Sequence, residues 1–252
     1  MKSAALAATF ALTLAAPALA QSSLGFTQAE ARIGAVSLDG ETRATGTLAI
    51  DFAITAHHGL QFDLGLTDQE TGLLGSIDGH LYMVPGPGRK YGLFGHVADL
   101  DGVDATTFAL GAEAMVDLGA NTRAEAKAGI GIRNPGSFDF IFAQGALEHA
   151  LSDRVGIYVA GMVADYDESD FSATGYEGRI GARWYLASAP VVIDASVGRS
   201  GLWGDDSLKA ETVARLSVSL TLGADRSARA PSERRLFRSV APLAPLQLRG
   251  LE

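Results

Sequence analysis

Residues 122–133 read TRAEAKAGIGIR. Every second residue gives Thr122, Ala124, Ala126, Ala128, Ile130 and Ile132. The intervening set is Arg123, Glu125, Lys127, Gly129, Gly131 and Arg133. All the charge lies on one set and all the aliphatic surface on the other. A period of two is the signature of a strand with one wet face and one apolar face. Ala, Glu and Lys favour helix, but a helix would scatter the three alanines around its circumference. It would also hold Gly129 and Gly131 in its interior, at about 1 kcal/mol each. The pattern therefore predicts a strand. What its apolar face touches, protein core or lipid, decides the class of protein.

The same alternation recurs along the chain. Ala44, Gly46, Leu48, Ile50 and Phe52 oppose Thr45, Thr47, Ala49 and Asp51. Leu60, Phe62 and Leu64 oppose Gln61 and Asp63, and Ile77 and Leu81 oppose Asp78 and His80. Residues 106–118, 174–186, 191–197 and 210–222 repeat it. Residues 138–147 and 155–163 are apolar on both faces, so their orientation stays open, and residues 146–154 are compatible with a helical turn. Residues 198–207 read as a loop carrying Trp203. About twelve strands result, most of 9–13 residues. Soluble strands average about 5–6 residues, whereas a membrane-spanning strand needs about 9–11 with alternating faces. The expected fold is all-β: a single closed antiparallel transmembrane β-barrel of about 12 strands, within a range of 10–14. A soluble periplasmic barrel or sandwich is the competing fold.

Residues 1–20 read as a cleaved signal peptide: Lys2, an apolar run, Pro17, and Ala18-Leu19-Ala20 before Gln21. Residues 21–223 are assigned to the barrel. Residues 224–252 form a basic, Pro-containing C-terminal tail, expected to be flexible. Its functional alternatives are an arm touching an acidic partner or a plug entering the barrel. No other stretch is long and apolar enough for a spanning helix. The chain has no cysteine, which excludes disulfides, thiolate metal sites and a Cys nucleophile. Its formal net charge of −9 argues against nucleic acid as a partner. With the N-terminus in the periplasm, the gaps after even-numbered strands face inward and are short. The outward gaps include the three most acidic and extended.

By strand pattern alone, residues 21–222 resemble Gram-negative outer-membrane β-barrel proteins, porins among them. The final strand departs from that class, ending Leu220-Thr221-Leu222 with a tail beyond it. Tyr91, Phe108, Phe138, Tyr176 and Trp184 are the candidate interfacial aromatics. If the apolar face meets lipid, the polar face lines the interior. Asp51, Asp63, Asp78 and Glu113 then form an acidic wall, opposite a mainly basic wall of Arg32, Arg123, Lys127, Arg133, Arg179, Arg183 and Arg215. The resemblance implies a transverse field across a water-filled constriction, and hence a channel for passive diffusion of small hydrophilic solutes in the outer membrane. The alternatives are a barrel whose interior charges pair and close it, serving structure or adhesion, and more remotely a lipid-modifying enzyme.

Chemistry elsewhere is sparse. Ser76, Asp78 and His80 are spaced along one strand at about 6.5–7 Å per two residues, beyond the reach a catalytic triad needs. No catalytic residue, metal site or cofactor is expected. Loop carboxylates at Asp99, Asp101, Asp104, Asp165, Asp167, Glu168, Asp170, Asp205 and Asp206 are candidates for divalent bridging to lipopolysaccharide. The apolar outer face serves a lipid contact and a homo-oligomer interface equally well.

Overall fold

The computed structural model describes residues 25–69, 72–134, 138–167, 171–223 and 227–251. Twelve strands follow one another: β1 (Gly25–Leu38), β2 (Glu41–Ala53), β3 (His58–Asp68), β4 (Leu73–Gly86), β5 (Arg89–Leu100), β6 (Thr106–Asp117), β7 (Thr122–Asn134), β8 (Phe138–Ala150), β9 (Val155–Asp167), β10 (Ser172–Tyr185), β11 (Val191–Gly204) and β12 (Leu208–Leu222). Each pairs antiparallel with the next. β1 pairs with β12 from Ala29 opposite Leu222 to Leu38 opposite Val213, and the sheet closes into a barrel. Closure leaves no strand edge unpaired, as a lipid-embedded sheet requires.

The strands run 11 to 15 residues, longer than expected, because the ladders continue into segments that read as turns. Residues 148–150 end β8, so no helical turn forms there. β11 passes through Trp203 and pairs with β10 as far as Gly204, leaving only 205–207 as a loop. A bulge between Ser200 and Leu202 breaks its alternation and hid the strand. As a result, connections at both rims span only two to five residues. Loop length, expected to tell the rims apart, does not; the position of the acidic residues does. The β1–β2 hairpin turns on Asp39 and Gly40, at φ of 47° and 96°. Two left-handed residues are what a two-residue hairpin turn of this hand needs.

The exterior is apolar around the circumference: Ile33, Leu64, Leu93, Ile130, Ile180 and Leu216 stand exposed on six different strands. An apolar belt of this extent is unfavourable in water and natural in hydrocarbon. Tyr91, Phe108 and Trp184 are exposed, and Tyr176 stacks on Trp203 with centroids 4.8 Å apart. Phe138 differs from expectation by facing inward, with Phe140 and Phe142, while Ile141 and Leu147 face out. On β9, Tyr158, Ala164 and Tyr166 face in and Ile157, Val159 and Val163 out. β7 explains where two of the three rings of β8 fit. A Cβ at Gly131 would meet the Phe140 ring at 2.2 Å, and one at Gly129 would meet Phe142 at 2.9 Å. The inward face of β7 is thus charged toward its start, empty at Gly129 and Gly131, and charged again at Arg133 by the rim. Aromatic rings from the neighbouring strand fill the empty part.

Residues 227–251, expected as a flexible extension, run through the lumen. They contain a 3-10 turn (Ser232–Arg234) and a single-turn helix α1 (Ala244–Gln247). Among the described residues no helix is long and apolar enough to cross a membrane.

Candidate functional site

The lumen is a polar tube with the tail threaded through it. Near the rim where β12 ends, Ala228 N–H donates to the Asp153 carbonyl (2.8 Å) and Arg229 pairs with Asp153 (3.0 Å). Ser232 Oγ donates to Asp117 (2.5 Å), and Glu233 accepts from Gly88 N–H (2.7 Å). Arg235 donates to Tyr185 OH at 2.6 Å. Deeper in, Gln61 clamps the Phe237 backbone at both its N–H and its carbonyl, each at 2.9 Å. The Phe237 ring stacks on His80 (5.9 Å) and lies beneath the Lys90 and Lys127 ammonium groups, at 4.6 and 5.4 Å from its centroid. Arg238 gives Glu125 two hydrogen bonds, from its backbone N–H (3.0 Å) and from Nε (2.9 Å), and its carbonyl accepts from Lys127.

Beyond Arg238 the tail turns apolar. Ser239 Oγ still donates to Asp63 (2.9 Å), and the Pro242 carbonyl accepts from Tyr166 OH (2.8 Å). Val240, Leu243 and Leu246 pack against Phe94, Phe138, Phe140, Phe142, Tyr166 and Leu202. Leu248 packs against Val36, Leu38 and Val213. Arg249 donates to the Ser200 carbonyl (2.6 Å) and pairs with Glu211 (3.1 Å). The two strands that read as apolar on both faces are therefore wet on neither. Outside they belong to the exterior belt, and inside they seat this end of the tail.

Each expected acidic residue is buried in the lumen. Asp51 accepts from Tyr82 OH at 2.8 and 3.0 Å and also from Thr27. Asp78 contacts His96 Nδ1 at 2.5 Å. Glu113 lies between His80 Nδ1 and Lys127 Nζ, both at 2.8 Å. The basic residues do not present a uniform wall, because carboxylates of the same and nearby strands interleave with them. Arg123 pairs with Glu148 at 3.1 Å. Arg183 pairs with Glu148 at 2.9 Å and Asp194 at 2.7 Å. Arg179 (2.6 Å) and Arg215 (2.7 Å) share Glu177, and Arg32 pairs with Glu30 at 2.6 Å. Arg133 stands apart at the far rim, in a small cleft with Leu243, Leu246 and Leu251.

Exposure separates two groups of bases. Lys127 is 2% exposed, whereas Arg32, Arg215 and Arg179 are 36%, 27% and 25% exposed. The latter three look onto a cavity of about 410 Å³ between the tail and the wall, lined from all twelve strands and most densely from β1 and β12; Thr45, Thr47 and Ser217 also face it. At mid-depth the tail bonds to β3 and β7, through Gln61, Asp63, Glu125 and Lys127, and space of mixed polar and apolar lining remains around it. Sequence reading missed the residues that hold the tail: Gln61, Tyr82, Lys90, Glu125, Glu148 and Tyr166. Gln61 alternates in phase with Asp63, a usable signal. Tyr166 sits between Asp165 and Asp167, which read as loop carboxylates. The acidic residues of the rim hold strand ends: Asp99 accepts from Thr106 (2.9 Å), Asp165 from Thr174 (2.7 Å) and Asp206 from Ser172 N–H (2.8 Å). Glu168 and Asp170 lie outside the described residues.

No protein-family model and no curated protein sequence matches the chain. In fold it is similar to solved outer-membrane porins and channels. The NanC porin aligns at TM-score 0.59 and 8% identity, covering 77% of this chain and 100% of that one. An outer-membrane channel from Pseudomonas putida aligns at 0.57 and 10%, covering 79% and 96%. The KdgM porin, solved in complex with disordered oligogalacturonate, aligns at 0.55 and 7%, covering 76% and 98%. At these identities the likeness is one of barrel architecture. The share of this chain left uncovered is about that of residues 1–24 and 223–252 together.

Proposed function

We propose that this chain is an outer-membrane barrel that passes small hydrophilic solutes passively, through the space its own tail leaves open. The observation that carries the reading is the cavity of about 410 Å³ running beside the tail inside an apolar-walled barrel, with Arg32, Arg179 and Arg215 partly free to meet a solute. Size is screened by the gap between tail and wall, and charge by the guanidinium groups. The chain reaches the outer membrane after losing residues 1–20, and its acidic rim faces the lipopolysaccharide side. A second reading is favoured by the tail's many bonds to the wall: the tail closes the lumen, and the barrel is silent until it moves.

Planar-bilayer recording on refolded protein tests both. Discrete channels from the full chain, with a severalfold larger conductance from a chain truncated after Gly223, support the proposal. Silence from the full chain with conduction from the truncated one selects the second reading. Silence from both, in protein that migrates as a folded barrel, sinks the pore altogether.

A further inference from the structure

Asp63 and Asp78 are direct cross-strand partners on the lumen face of β3 and β4. Like charges in that position repel, yet both carboxylates are buried, at 2% and 1% exposure. Asp78 Oδ1 meets His96 Nδ1 at 2.5 Å and Asp63 Oδ1 accepts from Gln61 Nε2 at 2.8 Å, and among the described residues the only ion-pair partners of the two carboxylates are histidines. His80, two residues beyond Asp78 on the same face, supplies the second observation. Its Nδ1 is held by Glu113 at 2.8 Å, while its fully buried Nε2 has no hydrogen-bond partner. That atom points at Asp63 Oδ2 from 3.6 Å, too far for a hydrogen bond. Two ligands of a tetrahedral zinc, each about 2.0–2.2 Å from the metal, stand about 3.4 Å apart. One ligand atom from each of Asp63, Asp78 and His80 lies within 4.8 Å of the others. A carboxylate on the far nitrogen of the imidazole is the usual support of a metal-bound histidine.

We propose that Asp63, Asp78 and His80 bind one divalent transition cation of zinc's kind, with Glu113 orienting His80. Imidazole with carboxylates suits such an ion better than calcium or magnesium, which take oxygen ligands alone. Ser239 of the tail, whose hydroxyl donates to Asp63 Oδ2 at 2.9 Å, lies beside the site. Asp63 and Ser239 both border the 410 Å³ cavity, so the ion has an aqueous path. A cation here fastens the middle of the tail to the wall.

The test is zinc titration calorimetry on tag-free, full-length protein refolded in detergent after chelation. One zinc per chain is expected. His80→Gln should abolish binding, and Glu113→Gln should weaken it about 10–100-fold. Replacing the exposed His57, His58 and His149 by Gln should leave it intact. Absence of binding overturns the proposal, as does binding that survives His80→Gln or disappears with the exposed histidines. Should His80→Gln fail to fold, cobalt(II) absorption of the unmodified protein decides. Intense tetrahedral bands support the site, and the weak bands of a six-coordinate ion overturn it. None of these readouts depends on whether the barrel conducts.

Discussion

Phe237 lies where His80, Tyr82, Lys90 and Lys127 converge, with Gln61 holding its backbone. Removing the ring leaves two ammonium groups without their aromatic partner and opens a void. Truncating a buried phenylalanine costs about 3–5 kcal/mol, and here the loss falls on docking of the tail. Phe237→Ala should therefore make the tail arginines, from Arg229 to Arg249, markedly more susceptible to trypsin while the barrel stays heat-modifiable on gels. A tail equally protected in both proteins would show that Phe237 does not anchor it. The lumen arginines divide by what they would leave behind. Arg183 neutralises Glu148 and Asp194 together, and removing one partner of a buried pair costs about 3–5 kcal/mol. It is a poor probe of selectivity because its loss perturbs the fold. Arg32 and Arg179 are partly free, and Glu177 keeps Arg215 when Arg179 is gone. Arg32→Gln with Arg179→Gln should thus shift the reversal potential in a salt gradient toward cation preference. An unchanged potential would remove these two side chains from the conducting path.

At the scale of elements, legibility followed the strictness of alternation. β7 was readable because its two faces differ in chemistry: Arg123, Glu125 and Lys127 meet the polar lumen, and Ala126, Ala128 and Ile130 meet the exterior. β8 and β9 were readable as strands but not as oriented ones, since period-two reasoning needs one wet face and theirs are both apolar. Phe140 and Tyr166 became interpretable only with Leu243 and Pro242 against them. β11 was cut short in the reading because the Ser200/Leu202 bulge breaks the period. The tail was the least legible element. Pro231, Pro242 and Pro245 deny it both helix and ladder, and its order comes from non-local partners. Arg238 with Glu125 is 113 residues apart in sequence, and Phe237 with Gln61 is 176. Composition could find its charge but not the wall that answers it. The same remoteness governs the acidic and basic sets. Their residue types were visible along the chain, whereas the pairing of Arg215 with Glu177, 38 residues away, depends on how neighbouring strands are set in register.

For the molecule as a whole, a wide barrel and a short tail solve one packing problem together. Barrels of about 8 strands fill with their own side chains, and those of about 16 leave an open channel. Twelve strands enclose more room than side chains can fill, and a single extended segment takes up part of the excess. That segment does more than occupy space, because it also changes the parity of the chain. Twelve antiparallel crossings return the chain to the side on which Gly25 lies. The tail makes a thirteenth: it leaves from Leu222, passes Arg238 at mid-depth, and brings Leu251 to the opposite rim beside Leu100 and Ala105. The two ends of the described chain therefore lie at opposite rims, an arrangement that an even-stranded barrel alone cannot give. The chain has no cysteine, so single replacements report without background. In intact cells a membrane-impermeant maleimide should label Leu251→Cys, while Asp153→Cys should react only after the envelope is breached. Labelling of both from the same side would mean that the tail doubles back. If the two sides differ, a stretch of chain whose near end sits in one compartment is readable from the other, and a pull or a cut at either end is felt across the full thickness of the membrane.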